Sequence, residues 1–262
     1  MITSDSNPKL RYVQHLSRRA FRQREGRMLL EGLRLVEAAL DAGHRPAFSL
    51  ASDLLDASAR GAALRSRLIE AGAPPIPVAD ALLRQVGDTQ HGQGLLAVLP
   101  IPELPLPDRP SLLLLLDGLR DPGNLGTALR SADAAGVDAV LLSPGTVDWS
   151  NAKVVRAAMG AHFHVPVRQL SWAGIDSLLA ELEPRPSLWL AEAGGRLAHS
   201  EVDWRAPSLL VIGGEAAGPS AEARARATDS LRIRMPGRAE SLNAAGAAAV
   251  ILFEALRQRA EA

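Results

Sequence analysis

The chain has 262 residues, 47% of them hydrophobic, with 29 basic and 29 acidic side chains and no cysteine. That length holds one large or two ordinary domains with packed cores, and the lack of cysteine removes disulfides, thiolate nucleophiles, cysteine zinc sites and iron–sulfur clusters together. No signal peptide opens the chain and apolar runs such as residues 112–116 are far too short to span a bilayer, so a cytoplasmic protein with no membrane partner is expected.

Net charge is zero, but its distribution is uneven. Between residues 9 and 27 seven basic side chains face one acid, Glu25, an excess that suits a polyanion as well as it suits a solvated helix face. Leu10, Val13, Leu16 and Ala20 recur at helical spacing with the arginines largely off that stripe, which predicts a helix from Lys9. Arg18, Arg19 and Arg22 are then candidates for phosphate contact. Tyr12 and Phe21 either stack on bases or fill the core.

Residues 31–43 read as a helix ending near Gly43, 47–51 as a strand, 57–71 as a helix, and 75–78 and 95–99 as strands, together a small α/β unit. Residues 100–110 then hold five prolines in eleven positions, too many for a helix or an inner strand. The expected organisation is therefore a domain over 1–100, a linker over 101–110 and a second domain over 111–262.

In the second domain, 112–116 is a buried strand, 124–135 has helical character and 139–142 is another strand; the alternation predicts a largely parallel sheet. Residues 209–212 and 231–235 are further strands, each running into a glycine-marked loop. Missing Cβ atoms at Gly213 and Gly214 let a ligand approach the backbone. Ser241 or Asn243 caps the small-residue helix that follows, and loops at strand ends are where open α/β sheets bind ligands. Two nucleotide folds are excluded. Glycines 118, 123 and 126 do not spell Gly-x-Gly-x-x-Gly, and Pro219-Ser220 stands where a phosphate loop needs Lys-Ser/Thr. His162 and His164 are expected on one face of a strand, with no third ligand nearby and hence no metal site.

Three ordered motifs carry a resemblance: Asp121-Pro122-Gly123-Asn124-Leu125-Gly126 followed by Arg130; Gly213-Gly214-Glu215-Ala216-Ala217-Gly218; and Ile233-Arg234-Met235-Pro236-Gly237 followed by Ser241-Leu242-Asn243. Together the chain resembles the SpoU (TrmH-like) RNA 2′-O-ribose methyltransferases of the SPOUT superfamily. The first hundred residues are similar to that family's substrate-binding domain, through Leu29-Leu30-Glu31-Gly32-Leu33 and Gln90-His91-Gly92-Gln93-Gly94.

The resemblance implies an α/β SPOUT domain with a deep trefoil knot, preceded by a small α/β RNA-binding domain. It implies S-adenosylmethionine held around Gly213, Gly214, Ile233, Met235 and Leu242. Arg130, Glu215, Ser241 and Asn243 would be the catalytic set, with Arg130 gripping the target ribose and phosphate; a guanidinium is a poor proton acceptor because it stays charged. Asn124, Lys153 and Arg156 would contact RNA. The family pairs as a homodimer through helices that include the last, and its two-domain members act mostly on 23S rRNA, which favours rRNA over tRNA. Ala158 replaces a serine common in relatives and Pro219 follows Gly218, two departures from the pattern. A non-catalytic RNA-binding or ribosome-assembly factor, a tRNA 2′-O-methyltransferase and a base-nitrogen methyltransferase are the rival expectations.

Overall fold

The computed structural model describes residues 1–87, 92–215 and 218–260; of the motif residues above, Gln90, His91, Ala216 and Ala217 lie outside these. In chain order the elements begin α1 (Pro8–His15), α2 (Arg19–Glu25), β1 (Arg27–Glu31), α3 (Leu33–Asp41), β2 (Phe48–Ala51), α4 (Ala59–Glu70), β3 (Pro75–Pro77), α5 (Asp80–Val86) and β4 (Leu95–Pro100). Next come β5 (Leu112–Asp117), α6 (Pro122–Ala134), β6 (Ala139–Leu142), α7 (Ala152–Ala158), β7 (Val167–Gln169), α8 (Trp172–Ala180) and β8 (Ser187–Ala191). The last are β9 (Leu197–Ala198), β10 (Ser208–Gly213), α9 (Ala221–Arg226), β11 (Asp229–Arg232) and α10 (Ala244–Ala260). Two compact units form: Met1–Pro102 with Asp148–Phe163, and Glu103–Val147 with His164–Ala262. Among the described residues no helix is long and apolar enough to cross a membrane.

In the first unit the sheet order is β1-β4-β2-β3, with β4 antiparallel to both neighbours and β2 parallel to β3. Successive strand side chains point to opposite faces, and here both faces are apolar because helices cover both. Met28, Leu30, Leu95, Ala97 and Leu99 meet α3, α4 and Val155 of α7. Leu29, Leu96 and Val98 meet Leu10, Val13 and Leu83 of α1 and α5. The two stretches of this unit that resembled a substrate-binding domain touch: the Gln93 side-chain Oε1 accepts the Leu33 N–H at 2.9 Å, at the head of α3.

The helix expected from Lys9 is broken in two. After α1 the phase resets, leaving Ala20 exposed and Arg22 buried at 3% exposure. The Arg22 Nη1 donates to the carbonyls of Leu16 (2.7 Å) and Ser17 (2.8 Å), groups that a helix C-terminus leaves open. Its Nε and Nη2 donate to Asp148, and Nε also to Ser150. The expectation that Arg22 meets RNA phosphate is thereby corrected, since the guanidinium is committed inside the fold. Arg18 and Arg19 are exposed, as is Lys153 on α7, whereas Arg156 on that helix is paired with Glu31 at 3.4 Å.

In the second unit a seven-stranded sheet has the order β7-β6-β5-β10-β8-β11-β9, and its pairs are parallel. The central strands are buried on both faces, as a parallel sheet covered by helices requires: Leu113, Leu115, Leu209 and Val211 pack with Ile175 and Leu179 of α8. Register aligns Gly213 with Asp117 and Ile212 with Ala191, so the loops after β5, β8 and β10 leave the sheet at one edge. β11 spans Asp229–Arg232 rather than 231–235, and Ile233 and Met235 lie beyond it. The histidine expectation is also corrected: His162 sits in a short 3₁₀ turn of the first unit and His164 belongs to the second.

Candidate active site

A cleft of about 450 Å³ opens at that sheet edge, lined by Ala191–Gly194 after β8, by Gly213–Glu215 and Gly218 after β10, by Ile233 and Met235 after β11, and by Ser241, Leu242 and Ala247 at the head of α10. Of the residues expected to hold a methyl donor, Gly213, Gly214, Ile233, Met235 and Leu242 all line this one space. Its glycines answer to backbone crowding. A Cβ on Gly213 would stand 2.1 Å from the Pro219 nitrogen and one on Gly214 2.8 Å from the Gly118 oxygen. Gly218 takes φ +64°, the left-handed conformation glycine adopts freely. Its N–H closes the turn on the Gly214 oxygen at 3.0 Å.

Beside the cleft a relay of side chains joins three loops. Asn124 Nδ2 donates to Glu215 Oε1 at 2.8 Å, Asn243 Nδ2 donates to Asn124 Oδ1 at 2.7 Å, and Asn243 Oδ1 accepts the Ala245 N–H at 2.9 Å. Asn243, not Ser241, is thus the cap of α10. The direction of the relay is dictated at both ends: an ionised carboxylate only accepts and a helix N-terminus only donates, so each amide between them has one satisfactory orientation. Burial alone would raise the Glu215 carboxyl; hydrogen bonds from Asn124 and from the backbone N–H groups of Glu215, Arg120 and Asp121 outweigh it and hold the group below its ordinary value.

Asn124 owes its position to local sequence. Asp121 caps α6 by accepting the Asn124 N–H at 2.7 Å, and Pro122 occupies the first turn, where its missing N–H costs nothing. Arg130 lies later on α6, exposed, and makes no hydrogen bond or ion pair among the described residues. Glu215 is held by Asn124 and by the Arg120 N–H at 3.4 Å rather than by Arg130. Ser241 is exposed and lines the cleft. Lys153 and Arg156 belong to the first unit.

Two features escaped the sequence reading. Asp117, buried at the end of β5, accepts from Ser143 Oγ at 2.6 Å and from the Ser220 N–H at 2.7 Å, so it pins the loop after β10. An acid closing a run of five leucines was the available signal. Glu192 and Arg224, both lining the cleft, form an ion pair; no pattern announces it. Among the described residues no cluster of three metal-ligating side chains occurs.

The profile of the SpoU rRNA methylase family matches residues 111–253, and that of the MRM3-like substrate-binding domain matches residues 7–97. The 23S rRNA (guanosine(2553)-2′-O)-methyltransferase RlmP of Bacillus subtilis is 32% identical over 256 residues, 96% of this chain and 97% of the relative. The mitochondrial rRNA methyltransferase 3 of Homo sapiens is 34% identical over 299 residues, covering 92% of this chain and 70% of its own. The SpoU methyltransferase AviRb from Streptomyces viridochromogenes, solved in complex with the cofactor AdoMet, superposes with a TM-score of 0.89 at 29% identity, over 97% of this chain and 98% of that one.

Proposed function

The chain belongs to the SpoU rRNA methylase family, and on that premise we propose that it transfers a methyl group from S-adenosylmethionine to the 2′-hydroxyl of a ribose in 23S rRNA, in the cytoplasm. The observation that carries this reading is the Glu215–Asn124–Asn243 relay set against a glycine-cradled cleft. The cleft fits the donor on its own features: its volume is that of a small-molecule site, Gly213, Gly214 and Gly218 line it without side chains, and Ile212, Leu231, Ile233 and Ile251 offer apolar surface to a flat base.

When bound, S-adenosylmethionine would supply an electrophilic methyl carbon for the ribose oxygen, its sulfur leaving as a neutral thioether. The residues of the chain align and neutralise. Arg130, uncommitted among the described residues, grips the phosphate next to the target ribose and stabilises negative charge as the hydroxyl loses its proton. Glu215 is engaged by Asn124 and backbone donors, so it orders the loops rather than taking that proton. The proton leaves through the gripped phosphate to water. Ser241 orients the ribose, and Arg18, Arg19 and Lys153 carry RNA backbone on the first unit.

The same reading includes a homodimer. Val250, Phe253 and Leu256 are 41%, 49% and 37% exposed on α10 at threefold spacing, an apolar stripe that a second copy would cover. The same reading includes the trefoil threading that the family resemblance implies.

The reaction is tested by incubating the protein with methyl-tritiated S-adenosylmethionine and unmodified 23S rRNA or total tRNA, then digesting with nuclease. Label in a nuclease-resistant rRNA dinucleotide is expected. Donor binding without label on either RNA would favour a non-catalytic assembly factor, and label that leaves nuclease cleavage intact would indicate base methylation.

A further inference from the structure

A second cleft of about 450 Å³ lies wholly within the first unit, and its chemistry differs from that of the first. Among the described residues that line it there is no carboxylate. Lys153, on its rim, is exposed and without a partner among the described residues. Arg22 stands in its wall, and the bonds it makes leave one of its five N–H donors unassigned. Positive charge extends outward along the same two-helix segment, where Arg11 and Arg18 are exposed and unpaired among the described residues.

The remaining lining is of two kinds. Leu16 and Leu29 give an apolar, buried floor. Gln14 and Gln85, from α1 and α5, carry exposed side-chain amides that take no partner among the described residues. Each amide offers a carbonyl acceptor and two N–H donors. A floor for a flat ring, two amides able to match a base edge and an amine for an anion together describe one nucleotide. A stacked duplex cannot present its bases this way, whereas single-stranded RNA can.

We propose that this cleft takes one unstacked nucleotide of the RNA substrate, away from the methylated ribose, with Gln14 and Gln85 reading its base edge and Lys153 holding its phosphate. The assignment rests on the reading of 23S rRNA as substrate. It makes the first unit a reader of sequence as well as a source of charge.

The test uses the full chain and the 23S rRNA transcript that accepts label in the assay above, with binding followed by fluorescence anisotropy across a salt series. Lys153→Gln is expected to weaken binding and to flatten the slope of log affinity against log salt by about 0.7, the value for one single-strand phosphate contact. Gln85→Leu is expected to weaken binding roughly tenfold with the slope unchanged, as loss of a base contact does. Single-stranded competitor should displace the transcript better than duplex of the same sequence. Methylation of 23S rRNA by wild type, with both variants binding as wild type does, overturns the nucleotide cleft and leaves the methyltransferase reading standing. Failure of wild type to label any RNA removes the reading on which the cleft depends.

Discussion

Arg130 and Glu215 show opposite states of one chemistry: the anion is engaged by donors from its own chain, and the cation is left open to solvent. That asymmetry predicts separable phenotypes. Arg130→Ala should lower the turnover number by about two to three orders of magnitude, the usual scale for losing a charge-stabilising group, while calorimetric donor affinity stays as in wild type; undiminished turnover would sink the assignment. Arg130→Lys should restore little, because an ammonium lacks the planar fork that holds phosphate. A sharper test concerns Asn124. Asn124→Asp sets a second carboxylate against Glu215 in place of the 2.8 Å amide bond, and like charges at that range share a proton. Turnover should fall at neutral pH and recover in part as pH is lowered, when one carboxyl becomes protonated and donates; a flat pH–rate profile would show that the relay does not govern the loops.

At the scale of elements, prediction follows the exposed stripe of α10. Phe253→Glu should convert a dimer to a monomer in sedimentation or light scattering, because a charge cannot be buried without a partner; a dimer that survives it would place the interface elsewhere. The elements themselves were unevenly legible. β5, β6, α6 and α10 stood out because apolar runs and glycine or proline punctuation coincide there with long, buried segments. β1 did not, since its three apolar residues lie between charged ones and read as the approach to α3. Arg22 looked like its neighbours because the partner that buries it, Asp148, lies 126 positions later. In the same way the motifs named the members of the relay, but the direct contact of Asn124 with both Glu215 and Asn243 is a tertiary fact.

For the molecule as a whole, stability should depend on acid through His162. It is fully buried, stacked on Trp149, with Nε2 against the Trp149 carbonyl at 2.8 Å and Nδ1 without a partner among the described residues. Burial pushes its pKa down to about 4. An imidazole neutral when folded and basic when unfolded, near 6.5, makes the unfolded state bind the extra proton. Stability is therefore retained above about pH 6.5 and lost as pH falls towards 4, by on the order of 3 kcal/mol in total. Urea midpoints followed through tryptophan fluorescence should drop over that range in wild type and lose that part of the slope in His162→Gln; equal slopes would show that the ring takes its proton while folded. Sheet order has a consequence for synthesis. β10 is made after both β5 and β8 yet pairs between them. Until it emerges, two apolar strands display open edges of the kind that recruit neighbouring chains. A ribosome that stalls before residue 208 would thus release a sticky fragment rather than a half-working one, and cellular quality control would meet an all-or-nothing product.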